Sequence, residues 1–505
     1  MQLVALLLGI ALPWVTGALA LRAARNGSLA TPEPGQGLLA AGAGLFLGLA
    51  LTTWLLRLSA AWTGTFSWWF VMAVLALMGA GLAWLGRKQT APSPATKVAG
   101  PAERPGGKWL VILLLLATLA HLSFSGLELL TQPLFPWDGW TVWVYRAKAW
   151  FFAEQITPVV DPQQWLAASN PEIYSTPARA YPLIPSLVPL WTALSLGAWH
   201  EAWVNLPVIA AGIGLCLGLA GLLRQSGVGV PGTIVGVYLL VSTPILGVHL
   251  SLGGYGDIWM AAYAGLGMAA LLAGLTEDRR CLVLLGFVLL TLGLGVKVEG
   301  WVWLVTGFAV FALVRLPGRW LVAAAVGLAV ILLAVAMTGG TVFDIPGLGR
   351  IGYRDGLLYL PIKGIITLQR HDVVDAYRIN AFQLGSWHLL WFMMLMLFAA
   401  LLVAWRSRLA RAGLAFLFVF VALQAVIFGF TTEGAWARDY TAINRMPLQM
   451  LPALLFLLVL GAERALRQAP PVNSKAWILA GTGAVLLTIG GAVAWLSAQQ
   501  TGNPV

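Results

Sequence analysis

The stretch WLVILLLLATLAHLSFSGLELLTQPLFPWDGWTVWVYRAKAW, Trp109 to Trp150, carries no charged side chain before Glu128 and then sets Asp138, Arg146 and Lys148 among aromatics. At a rise of about 1.5 Å per residue, its uncharged part crosses a hydrocarbon core of about 30 Å as a helix. The same texture recurs in LVALLLGIALPWVTGALA and LLWFMMLMLFAALLVAW. Spanning β-strands would alternate polar and apolar residues, so the runs predict helices. Composition agrees: 59% of the 505 residues are hydrophobic and only 10% charged, against about half and a quarter in soluble domains. Mean hydropathy is +0.84.

Fourteen spans are expected, at roughly 2–21, 36–56, 66–86, 109–130, 202–223, 230–249, 257–275, 281–296, 300–314, 320–338, 386–405, 412–430, 446–462 and 477–496. The fold class they imply is an all-α polytopic membrane protein. Ala18-Leu19-Ala20 resembles a signal-peptidase site, but no Lys or Arg precedes the first apolar run and Arg22 and Arg25 follow it, so a retained span is expected. The chain divides into an N-terminal three-helix unit (1–86), a Pro/Ala/Gly-rich linker (87–108), a core (109–338) with a large loop over 131–201, a second loop (339–385) and C-terminal helices (386–505).

The net charge of +11 is a topology signal, not a nucleic-acid patch. Alternate loops hold 18 of the 30 cations and five of the 19 acids, a net of +13, which leaves −2 on the other side. The basic side is expected to be cytoplasmic. One apolar segment, Tyr181 to Trp199, breaks this alternation if it crosses and contains Pro182, Pro185 and Pro189. It is read as an interfacial or re-entrant helix on the outer side.

With that sidedness, Asp138, Asp257, Lys297, Glu299, Glu433, Arg438, Asp439 and Arg445 all border spans on the outer side. Ionisable groups are expensive there, so their convergence points to a shared cavity. Trp137 and Trp140 flank Asp138 and are expected to desolvate it for general-base work. The helix WTVWVYRAKAWFF is expected to lie along the membrane, with Arg146 and Lys148 reaching head groups or a lipid phosphate. The histidines show no metal-ligand spacing, and no Walker, GxSxG or CxxC motif is present. Cys216 and Cys281 imply no disulfide framework.

The ordered pieces WDGW with RAK after it, AYPLIPSLVPL before LGAWHEAW, GYGDIWMAAY, GVKVEGW and INRMPLQMLPALL resemble the polytopic glycosyltransferases of the GT-C superfamily, in particular the bacterial protein-mannosyltransferase and aminoarabinose-transferase-like enzymes. They cover roughly 110–315 and 430–460. The resemblance implies a bacterial cytoplasmic-membrane enzyme that transfers a sugar from a polyprenyl-phosphate donor to a lipid, glycan or protein acceptor at the outer face. It implies Asp138 as catalytic base. Arg146, Lys148, Arg179 and Arg445 are then the donor-phosphate cations, and Trp137, Trp140, Glu172, Tyr181, Tyr255, Asp257, Lys297 and Glu299 line the substrate cavity. Many relatives carry a second acid directly beside the aspartate, often linked to a metal. Gly139 stands there instead, which leaves a divalent metal undecided. A membrane transporter is the rival reading, since many spans with embedded ions also describe carriers.

Overall fold

The computed structural model describes residues 2–26, 33–89, 108–169, 173–346, 349–360 and 364–468. Of the described residues 75% are helical. It forms two compact units, Met1–Gly461 and Ala462–Val505. The described part of the second is the end of the last helix, where Arg467 pairs with Glu463 at 2.8 Å.

Helices α1 (Gln2–Asn26), α2 (Gln36–Thr63), α3 (Trp68–Gln89) and α4 (Lys108–Thr131) lead into a π-turn at Gly139–Trp143 and α5 (Val144–Ala153). The large loop then forms α6 (Pro162–Ala167) and α7 (Ile184–Leu196), with a two-residue parallel pairing of β1 (Val159–Val160) and β2 (Tyr174–Ser175). Next come α8 (Pro207–Gln225), α9 (Val230–Ser242), α10 (Pro244–Ser251), α11 (Asp257–Met260), α12 (Leu266–Glu277), α13 (Arg280–Gly293), α14 (Gly300–Arg315) and α15 (Gly318–Thr338). Four strands follow, β3 (Val342–Ile345), β4 (Gly349–Arg354), β5 (Leu357–Leu360) and β6 (Gly364–Thr367). The described chain closes with α16 (Val374–Phe382), α17 (Leu390–Val403), α18 (Arg408–Phe430), α19 (Gly434–Arg438) and α20 (Arg445–Gln468).

Among the described residues nine helices are long and apolar enough to cross a membrane, ten if α9 and α10 form one broken span. The expected fourteen are therefore not found. Helices α13, α14 and α17 have 14, 16 and 14 residues, or about 21–24 Å against a core of about 30 Å. The span expected at 477–496 lies outside the described residues. The 62° bend between α9 and α10 has a local cause. Pro244 pushes Thr243 out of the helical region, to φ −65° and ψ 116°.

Small residues set the helix packing. A Cβ on Gly48 would fall 1.8 Å from the Pro13 carbonyl oxygen, one on Gly17 1.9 Å from that of Gly44, and one on Gly42 2.1 Å from the Gly218 nitrogen. Helices α1, α2 and α8 thus touch backbone to backbone. Lipid tails are as apolar as leucine, so such close packing, not solvent exclusion, drives association inside a bilayer.

The charged loops separate into two groups at opposite ends of the helix Asp257–Glu277, which at 21 residues is about 31 Å long. Asp257 marks one end. At the other, Arg279 pairs with Glu33, and Asp278 pairs with Arg315 (2.5 Å) and Arg408 (3.6 Å). Helix α7, at 13 residues, is shorter than a span and reaches the Asp257 end. Its first nitrogen donates to Gly295 O (3.0 Å) beside Lys297, and Ser195 near its other terminus accepts from Trp68, which opens α3 (2.9 Å). The second loop corrects the all-α expectation, because its strands form an antiparallel sheet in the order β3-β4-β5-β6. Its residues alternate as strands do, with Phe343, Asp344 and Ile345 facing opposite sides in turn.

The close crossing of α1 and α2 gives a direct expectation. Gly48→Val is expected to cost at least about 1–3 kcal/mol by overpacking, seen as a lower melting temperature in detergent, whereas Gly81→Val, with nothing within 4 Å, leaves it unchanged.

Candidate functional site

The site is assembled where four loops meet before their helices. Gly254, at φ +98°, approaches the WDGW turn so closely that a Cβ would lie 2.9 Å from the Gly139 Cα. That contact sets Asp138 beside Asp257. On the next residues, a Cβ at Gly256 would press on Lys297 (3.1 Å) and Trp143 (3.2 Å). The glycines of GGYGD are the space in which the other loops' side chains fit.

Asp257 is fully buried at the first residue of its helix. Its Oδ1 accepts from Lys297 Nζ (3.0 Å) and Gln449 Nε2 (2.7 Å), and its Oδ2 accepts from Arg445 Nε (2.7 Å) and pairs with Arg445 Nη2 (2.6 Å). The same Nη2 donates to Asp138 Oδ2, so one guanidinium bridges two carboxylates. Lys297 also pairs with Glu299 at 2.9 Å. Around this centre, Trp303 Nε1 donates to Gln449 Oε1 (2.5 Å), and Tyr255 covers Arg445, its ring centroid 5.6 Å from the guanidinium carbon. Three acids against two cations leave the cluster close to neutral, as burial of charge demands.

Burial opposes the charge on Lys297, but the Asp257 and Glu299 carboxylates outweigh it and hold the ammonium above the ordinary lysine value. Tyr181 stands at the same end, its ring 5.1 Å from that of Trp143. Burial, with the negative charge of Glu299, pushes its phenol up to about 12, so it is a neutral hydroxyl at physiological pH.

Of the expected site residues, the structure brings together Asp138, Asp257, Lys297, Glu299, Arg445, Tyr255 and Tyr181. It does not bring the other three cations to the carboxylates of this cluster. Arg146 is buried at 2% exposure and donates to the carbonyls of Tyr181 (3.0 Å) and Ala178. Burial pulls it down to about 10, still a cation at neutral pH, whose work is to hold the 178–181 turn. Lys148 pairs with Glu201, and Arg179 with Asp161 (3.7 Å), both at the surface. Trp137 and Trp140 do not enclose Asp138 either: they form an edge-to-face pair at 4.5 Å and are 64% and 47% exposed. Glu172 lies outside the described residues.

Two participants escape a reading by motif. Gln449, fully buried, supplies the third donor group to Asp257, and His249 stands with Nε2 4.0 Å from Asp257 Oδ2 and its ring 4.5 Å from Tyr255. The signal available was a lone polar side chain inside an apolar run, which must find a partner in lipid. Among the described residues no three His, Cys, Asp or Glu side chains converge on a metal position. Beside Tyr255 a narrow cleft between Val144, Pro185, Val188, Asn205 and Trp259 has room for about one water.

The carboxylate network predicts a ranking. Asp257→Asn, which leaves Lys297 and Arg445 with one acid each, is expected to cost about 3 kcal/mol, and Glu299→Gln, at a partly exposed position, distinctly less. Thermal unfolding of the two variants in detergent checks the order, and equal losses would contradict it. No family model, no curated protein and no solved structure matches this chain.

Proposed function

We propose that this protein is a membrane glycosyltransferase of GT-C type, carrying a sugar from a polyprenyl-phosphate donor to a lipid, glycan or protein acceptor at the outer face of a bacterial cytoplasmic membrane. One observation carries the reading. Asp138 is a half-buried carboxylate with one oxygen held by Arg445 and no protein partner on the other among the described residues, at the end of the bundle where the charged loops converge.

In this reading Asp138 Oδ1 takes the proton of the acceptor hydroxyl as that oxygen bonds to the anomeric carbon. The bond from the anomeric carbon to the phosphate oxygen breaks, its electron pair leaving with the lipid phosphate, and the configuration inverts. Such a leaving group calls for positive charge more than for a proton. Arg445 is the cation at the reacting end, Lys148 and Arg179 are surface cations that can reach a head group, and Arg146 fixes the turn between them. Trp137 and Trp140 offer open ring faces to a sugar beside the carboxylate.

A carrier is the second reading, favoured by the burial of Asp257, Lys297 and Gln449 among helices. Carriers place such groups near the midplane, however, and this cluster occupies the helix ends.

Two measurements test the proposal. In proteoliposomes supplied with polyprenyl-phosphate sugar, Asp138→Asn is expected to lower transfer about 10²–10⁴-fold while lowering the melting temperature less than Asp257→Asn does. Full transfer by the folded variant removes Asp138 as base, and flux without transfer favours the carrier. In a background lacking Cys216 and Cys281, an impermeant thiol reagent applied to intact cells is expected to label Gln163→Cys and not Arg406→Cys. The reverse pattern inverts the proposed orientation.

A further inference from the structure

The four strands that follow α15 form a small sheet with no cover. Its register places Phe343 opposite Ile351, Tyr353 opposite Leu358, and Leu358 opposite Ile366. Since side chains alternate along each strand, one face presents Phe343, Ile345, Ile351, Leu358, Leu360 and Ile366, with Tyr353 completing the row. The other face carries all three charged residues of the strands, Asp344, Arg350 and Arg354, together with Val342, Leu357, Tyr359 and Ile365. No residue of the four strands is buried. In the row of seven large apolar side chains Phe343, Ile345 and Ile351 are exposed and the other four half-buried, and apolar patches of this kind mark a surface with a partner.

Both ends of the sheet are tied to the ends of candidate spans. At the start, only Gly339, Gly340 and Thr341 separate β3 from α15, a 21-residue helix with mean hydropathy 2.7 and no buried residue. By length and composition α15 is a candidate membrane span with no buried residue, and its last turn is at Thr338. After the sheet, Leu368 pairs with Thr431 in an antiparallel bridge, Gln369 N donates to Phe430 O (3.1 Å) and His371 N to Gly429 O (2.9 Å). Those acceptors are the final residues of α18, a second candidate span. Two anchors on two spans fix the height of the sheet at the level where the helices leave the hydrocarbon.

We infer that the sheet is a membrane-lying platform, its Phe343–Ile351–Leu358 face resting on the acyl and head-group boundary of the bilayer and its Asp344–Arg350–Arg354 face turned to water. The occupant is lipid because the face continues the exposed surface of α15 with a break of three residues. Amphipathic elements settle at this boundary by burying one apolar face a few ångströms below the phosphates, and tyrosine favours the same level. The inference stands whether or not the cluster at Asp138 transfers sugar.

Nitroxide labels test it in the full chain, reconstituted into vesicles of phosphatidylethanolamine and phosphatidylglycerol after removal of Cys216 and Cys281. Labels at Ile351→Cys and Leu358→Cys are expected to be relaxed by dissolved oxygen and shielded from a water-soluble nickel chelate, at a depth of roughly 5–10 Å below the phosphates. Labels at Asp344→Cys and Arg350→Cys are expected to show the reverse. Two positions per face guard against one label disturbing a strand. Equal access of the nickel chelate to both faces overturns the platform, and shielding of 351 and 358 from both reagents overturns lipid as the occupant in favour of a protein cover.

Discussion

The guanidinium of Arg445 lies between the carboxylates of Asp257 and Asp138, and the arrangement of this end of the molecule follows from that placement. A buried carboxylate such as Asp257 is tolerable only with its charge matched and its lone pairs filled. Arg445 and Gln449, one turn apart on α20, and Lys297, from the loop before α14, do both. Two helix starts, at Asp257 and Arg445, and one loop are thereby held in register. The residual valence of Arg445 then falls on Asp138, whose second oxygen keeps no protein partner among the described residues.

Everything around the cluster serves to let backbones approach. Glycines at 254 and 256 admit Gly139 and Lys297, just as glycines along α1, α2 and α8 let those helices touch. In hydrocarbon there is no solvent to exclude, so tight contact and satisfied polar groups must supply the cohesion that water supplies elsewhere. Arg146 illustrates the same economy, because its charge is directed to the Ala178 and Tyr181 carbonyls of the large loop.

Much of this was legible in the chain. The apolar runs announced helices, since a backbone in lipid must bond to itself, and the loop charges announced which helix ends share a side. Glu33, Asp278, Arg279, Arg315 and Arg408 do meet at one end, and Asp138, Asp257, Lys297, Glu299 and Arg445 at the other. The strands over 342–367 were not legible, because each is only four to six residues long and stretches such as LLYL and GIIT do not alternate polar with apolar residues. Span length was less secure: α13, α14 and α17 carry the composition of crossings and lack the length.

The sequence by itself determined a polytopic helical membrane chain and the sorting of the paired charges into two groups at opposite helix ends, because both depend on properties summed along a segment: hydropathy over a span and Lys and Arg over a loop. Only the tertiary structure decided that Arg445 bridges Asp138 and Asp257, that Gln449 completes the shell, that Arg146 turns inward, and that Trp137 and Trp140 face outward. These outcomes depend on which neighbour lies within about 3 Å of a side chain, and hydrogen bonds act only at that range. Positions 138, 257, 297 and 445 become neighbours through folding, and no local pattern records the distance between them.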